Sequence, residues 1–145
     1  MVKLKILFEN VTEIFQQGVQ ILGGLYMNRN IFIGGAWPYA NGSLHIGHMA
    51  ALVPGDVLAR YHRQNGDFVI YVSGSDCHGT PISVRANKDK TSPESIAQRY
   101  HDEFVDCFKR MNFSYSEYQN TMIPFHEQFV KDYFTQLIQN GSLYP

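Results

Sequence analysis

Two kinds of hydrophobic pattern alternate along the chain: short runs rich in β-branched and aromatic residues, and longer stretches in which apolar positions recur every three or four residues. Ile31-Phe32-Ile33, closing on Gly34-Gly35, predicts a buried strand whose end lets the backbone approach a ligand. From Ser43 to about Asn65 the period turns helical, with Leu44, Leu52, Val57, Leu58 and Tyr61 apolar and Gly66 as the stop. Pro54 falls inside that helix and is expected to kink it, because its ring removes one backbone donor and crowds the preceding turn. Phe68-Val69-Ile70-Tyr71-Val72 predicts a second strand. Strand, helix and strand at this spacing imply a right-handed parallel crossover, hence an α/β sheet of the doubly wound type.

Further along, Thr91-Ser92-Pro93-Glu94 reads as a capping box opening a helix that carries Ile96, Tyr100, Phe104, Phe108 and Met111. Phe113-Ser114-Tyr115 with Tyr118 predicts a short strand. A last helix from Pro124 to Asn140 has a wide apolar stripe of Phe125, Phe129, Val130, Tyr133, Phe134, Leu137 and Ile138, ended by Gly141. Residues 1–28 stand apart. Leu4, Leu7, Phe8, Val11, Ile14 and Phe15 fall on one helical face before Gly23-Gly24, which reads as an amphipathic extension. Equally, Met27 reads as the natural start and the preceding residues as a translated leader. Residues 29–145 then form one α/β unit.

Composition narrows the classes. With 145 residues, 44% of them hydrophobic, the chain can build a core without disulfide staples. A net charge of -1 from 12 basic and 13 acidic residues argues against a general polyanion-binding surface, since nucleic-acid affinity rests on phosphate neutralisation. Cys77 and Cys107 lack metal-ligand spacing, so neither a disulfide framework nor a zinc site is expected, and a reducing cytoplasm fits. No apolar run approaches the roughly 20 residues of a membrane span. Glu9, Asn10, Glu13, Gln16 and Gln17 interrupt the first stretch as a signal peptide would not tolerate.

In open parallel sheets, ligands bind beyond the carboxyl ends of the strands, so the two post-strand segments are where chemistry belongs. After the first strand come Ala36-Trp37-Pro38-Tyr39-Ala40-Asn41-Gly42-Ser43-Leu44-His45-Ile46-Gly47-His48. Gly34, Gly35 and Gly42 allow close approach of backbone, and the following helix aims its first N–H groups at an anion. His45 and His48, three apart, share a face and can donate to phosphate oxygens, while Gly47 leaves room for a flat ring. These features suit a nucleoside triphosphate. The competing reading, half of a metal site, lacks a third ligand at a matching spacing. After the second strand, Ser73 to Ile82 places Asp76 at the mouth of the same cleft, where it can bind an ammonium group or serve as a turn or cap aspartate ahead of a helix at Pro81.

Pro38 to His48 resembles the HIGH signature of the class I aminoacyl-tRNA synthetases, and Gly74-Ser75-Asp76-Cys77-His78-Gly79-Thr80 is similar to the pattern of their methionyl members. The resemblance implies the amino-terminal half of a Rossmann-like (HUP-type) catalytic domain, truncated before its second half. It assigns His45 and His48 to the ATP phosphates in the adenylation transition state, with Tyr39, Asn41, Gly42 and Gly47 completing the ATP site and Gly47 against the adenine. Asp76 would hold the α-amino group of methionine, and Ala36, Trp37 and Tyr39 would line the side-chain pocket, Tyr39 against the thioether. ATP with Mg2+, methionine and tRNA(Met) follow as ligands of the full enzyme, and zinc is not expected within this stretch.

Ser75 stands where isoleucyl and leucyl members usually carry tryptophan, which weighs against an isoleucyl-type fragment. Trp37 and Ala51 depart from common members, which have an aliphatic and an acidic residue there. Cys77 reads as packing and His78 as a hydrogen-bonding loop residue. The 145 residues contain no Lys-Met-Ser-Lys-Ser loop, so this chain is expected to be inactive alone. Two rivals remain: a small nucleotidyltransferase, which would need a second phosphate motif absent after Tyr118, and a non-catalytic nucleotide- or amino-acid-binding paralogue.

Overall fold

The two hydrophobic runs become parallel neighbours. In the computed structural model, which describes residues 29–143, β1 (Asn30–Gly34) pairs in parallel with β2 (Phe68–Ser75), Ile31 opposite Val69 and Ile33 opposite Tyr71. β3 (Glu117–Asn120) pairs in parallel with the other edge of β2, giving the order β1-β2-β3 among the described residues. Four helices connect and follow these strands: α1 (Ile46–Gln64), α2 (Thr80–Asp89), α3 (Pro93–Arg110) and α4 (Pro124–Gln139). The chain is therefore α/β with a parallel sheet, as the spacing of its elements predicts. Both readings of residues 1–28 lie outside the described residues.

β2 runs three residues past its predicted end and is buried at Val69, Tyr71, Ser73, Gly74 and Ser75. β1, expected to be buried, has only one covered side. Ile31 and Ile33 pack toward Ala59, Val69 and Tyr71, whereas Phe32 is 71% exposed. Alternation along a strand sends successive side chains to opposite faces, so one face of the sheet carries α1 and the other leaves Phe32 open.

α1 starts later than the predicted Ser43, because His45 is its N-cap, with extended backbone (φ -134°, ψ 175°). It buries Leu52, Asp56 and Ala59. Val57, Leu58 and Tyr61, expected on its packed side, are exposed instead, since small residues let this helix lie close to β1 and β2. The helix stays continuous through Pro54, and the Tyr71 hydroxyl donates to the Leu52 carbonyl at 3.2 Å. Gly66 and Gly141 follow the ends of α1 and α4 with φ of 81° and 75°, the left-handed turn expected of a helix stop.

α3 supplies half of the main core through Ile96, Ala97, Tyr100, Phe104 and Phe108, packed with Ala40, Leu52, Cys77, Ile82 and Ala86. Its cap is Ser92 rather than Thr91. The Ser92 hydroxyl accepts from the Ser95 N–H at 3.1 Å, which puts Pro93 first in the helix and Glu94 in its first turn. Met111, at the C-cap, is half-exposed and off the packed stripe. The predicted third strand shifts to Glu117–Asn120, so Phe113 and Tyr115 join the core as a connection, and the Ser116 N–H donating to the Tyr71 carbonyl begins the new pairing. Among the described residues no helix is long and apolar enough to cross a membrane.

Candidate functional site

The loop after β1 and the end of β2 are tied into one unit. Tyr39 and Asp76 form a parallel bridge in which the Asp76 N–H donates to the Pro38 carbonyl and the Ala40 N–H donates to the Asp76 carbonyl, each at 2.9 Å. The two post-strand segments that carry candidate chemistry are thus bonded backbone to backbone. Beneath the loop, the Ser73 hydroxyl donates to the Ala36 carbonyl at 2.7 Å.

At the start of α1, the His45 Nδ1 accepts from the Gly47 N–H and the His48 Nδ1 accepts from the His45 N–H, each at 3.1 Å. This reciprocal capping box is made by imidazoles. A ring nitrogen that accepts from a backbone N–H cannot carry a proton, so both rings are neutral tautomers with the hydrogen on Nε2. The rings lie 3.9 Å apart between centroids. Burial, and after it the neighbouring His45, pushes the His48 imidazole below its ordinary value, which favours the neutral donor. Two Nε2–H groups remain as donors at a helix amino terminus, an arrangement that can take an anionic oxygen.

Gly47 has an additional role here. A Cβ at this position would press on the His45 ring, at 2.9 Å from its Cε1, so the space beside Gly47 lets the imidazole fold over the first turn. Gly42 differs, since nothing lies within 4 Å of where its Cβ would stand, and packing does not demand a glycine. Asn41 closes the loop by donating its N–H to the Tyr39 carbonyl at 2.9 Å.

Trp37, 43% exposed, lies against the end of β2: a Cβ at Gly74 would collide with the indole and with the Gln119 carbonyl. With Ala36, Pro38, His48, Ala51 and Leu52 it lines a cavity of about 80 Å³. The structure thus brings Trp37 and Ala36 together with His48. Tyr39 is half-exposed. Asp76 is not the cap of α2, which is Gly79; its Oδ1 accepts from the His78 N–H at 3.2 Å in a turn of its own.

His78 Nε2 meets the Thr121 carbonyl at 3.2 Å, a hydrogen-bonding loop residue as expected. Cys77 is buried, and burial pushes its thiol up, which keeps it unreactive. Sequence reasoning missed what lies behind Asp76. The Ser75 hydroxyl, fully buried, meets His101 Nδ1 at 2.9 Å and the Tyr118 hydroxyl at 3.1 Å, and the Cys77 N–H donates to the Thr121 hydroxyl at 2.9 Å. One signal was available, a histidine at position 101 inside the apolar stripe of α3.

Among the described residues no group of three or more histidines, cysteines or acids could hold a metal ion. A second cavity, about 370 Å³, opens beside Cys77, His78, Gly79, Pro93, Glu94 and Glu127.

The family model for tRNA synthetases class I (M) matches residues 31–145. Methionine--tRNA ligase 1 of Alkaliphilus oremlandii is 57% identical over 115 residues, and the Methionine--tRNA ligase of Streptococcus pneumoniae strain CGSP14 is 58% identical over the same length; both matches cover 79% of this chain and 21% of the relative. The chain spans about a fifth of the length of the curated relatives it matches. Among solved structures, the Agrobacterium radiobacter K84 LeuRS in a ternary complex with tRNA and LeuAMS superposes with a TM-score of 0.77 at 28% identity, covering 82% of this chain and 15% of that one. The Mycobacterium tuberculosis methionyl-tRNA synthetase in complex with methionyl-adenylate gives 0.75 at 23%, covering 78% and 22%, a likeness of fold.

Proposed function

This chain belongs to the class I tRNA synthetases of the methionyl type, and from that premise we propose that it supplies the ATP-gripping and amino-acid-gripping segments of a methionine–tRNA ligase. The observation that carries the reading is the pair of Nε2–H donors at the start of α1, on a loop bonded by backbone to the Asp76 segment. The methionine carboxylate attacks the α-phosphate of ATP and pyrophosphate leaves; a hydroxyl of tRNA(Met) then attacks the carbonyl of the methionyl-adenylate, forming the ester and releasing AMP. No protein nucleophile is required, so catalysis is positioning and charge stabilisation.

His45 and His48 hydrogen-bond the phosphate oxygens as negative charge builds on them. Tyr39, Asn41, Gly42 and Gly47 border the nucleotide, and the freedom of Gly42 from packing suits a place where ligand comes close. Asp76 takes the ammonium group, while Ala36, Trp37 and Tyr39 border the side chain, with Trp37 held by its seat on Gly74. Magnesium would arrive with the triphosphate, because these residues offer it no cage of their own. Both cysteines are free thiols, which suits a cytoplasmic setting.

The test is a chimera in which residues 31–145 replace the matching 115 residues of the Streptococcus pneumoniae relative. Methionine-dependent ATP–pyrophosphate exchange is expected, falling about 100-fold on His48→Ala. A folded chimera without exchange would sink the reading.

A further inference from the structure

Buried polar groups are costly unless fully partnered, and here three of them gather directly behind a candidate ligand-binding residue. Ser75 is the last residue of β2, with its hydroxyl held between His101 Nδ1 of α3 and the Tyr118 hydroxyl of β3. The His101 and Tyr118 rings are stacked, with an interplanar angle of 11°. The serine hydroxyl can donate to one of these partners while accepting from the other, and the chain is one residue from Asp76. The neighbouring backbone is pinned as well. The Ser75 carbonyl accepts from the Thr121 N–H at 3.3 Å, and the Cys77 N–H donates to the Thr121 hydroxyl. Side chains alternate along extended backbone, so a clamp on Ser75 fixes the segment from which Asp76 projects the other way.

Building on the assignment of Asp76 to the substrate ammonium, we propose that Ser75, His101 and Tyr118 are positioning residues that aim the Asp76 carboxylate at that group. The supporting electrostatics agree with the geometry. Burial pushes the His101 imidazole below its ordinary value and the Tyr118 phenol up to about 12, so the network stays neutral and adds no competing charge beneath the carboxylate. A core built only for stability would use apolar residues here, as α3 does at Ile96, Ala97, Phe104 and Phe108.

The experiment is isothermal titration of the 145-residue chain with methionine and with des-amino methionine, which lacks only the α-amino group. The unsubstituted chain should bind methionine about tenfold more tightly than the des-amino compound, the size expected of a charge-assisted hydrogen bond. His101→Phe and Ser75→Ala should each bring that ratio close to one without weakening the des-amino compound, and His101→Gln should restore part of it. Tyr118→Phe keeps the ring stacked and removes only the hydroxyl, so it serves if the other variants do not fold.

Variants that melt earlier yet keep the full ratio would overturn the proposal and leave a structural network. If Asp76→Asn abolishes the ratio while His101→Phe and Tyr118→Phe preserve it, the positioning role falls and the ammonium assignment stands. If the unsubstituted chain does not distinguish the two ligands, the ammonium assignment itself fails and the positioning role with it.

Discussion

α3 and α4 are built from similar sequence and end in different surroundings. Both open with proline and both carry an aromatic stripe at helical spacing. α3 buries Ile96, Ala97, Tyr100, His101, Phe104 and Phe108, whereas α4 buries nothing and leaves Phe125, Phe129, Tyr133, Phe134 and Ile138 about half-exposed. The difference lies in what each helix meets. α3 faces α2 and the loops around Ala40 and Cys77, while the stripe of α4 finds no such surface among the described residues. An apolar face records that a helix is suited to packing, and a second surface is needed to convert it into stability.

The largest expected effect tests that statement directly. Phe104→Ala should cost about 3–5 kcal/mol in urea unfolding, through lost transfer energy and a cavity. Phe129→Ala on α4 should stay within about 0.5 kcal/mol. Equal losses would break the comparison.

Acid separates the two regions next. Hydrogen bonds from Arg29 and His62 hold the Asp67 carboxyl, on the packed side, well below the usual carboxylate range. A carboxyl depressed in the folded state contributes stability above its unfolded value of about 4 and loses it as pH falls toward the lower folded value. Asp67→Asn should therefore lower the melting temperature at pH 7 and flatten its decline in acid. Asp132→Asn on α4, where the carboxylate meets only Gln128 at an exposed position, should leave the melting profile unchanged.

Helix caps give the smallest contrast. Ser92→Ala should destabilise the protein by about 1 kcal/mol through loss of the bond to the Ser95 N–H. α4 begins after Ile123, which makes no side-chain cap, so Ile123→Asp should raise helicity by circular dichroism and stabilise by about 0.5 kcal/mol.

Much of this was legible in the chain itself. Unbroken β-branched and aromatic runs located β1 and β2, and a 3.6-residue period located α1, α3 and α4, because strand propensity and helix periodicity follow from backbone geometry. Exposure was less legible. Ile31-Phe32-Ile33 says strand, but only the layer above it decides that Phe32 faces out, and the apolar positions of α1 fall on more than one side, so Val57 and Tyr61 were misplaced. The candidate site was readable as residues and spacing at His45, His48 and Asp76. Its connections were not: the bridge from Tyr39 to Asp76 and the contact of Ser75 with His101 join positions far apart in sequence, with no periodic trace. His101 showed only as one polar residue in an apolar stripe, which Tyr100 and Phe104 around it made easy to pass over.

The imidazole cap at the start of α1 ties the protein's grip to its scaffold. The His48 nitrogen that latches the first turn must stay unprotonated to accept the His45 N–H, so a proton placed there adds positive charge at the expense of the bond that holds the cap. Burial, which pushes that imidazole below its ordinary value, keeps the latch and the neutral donor together.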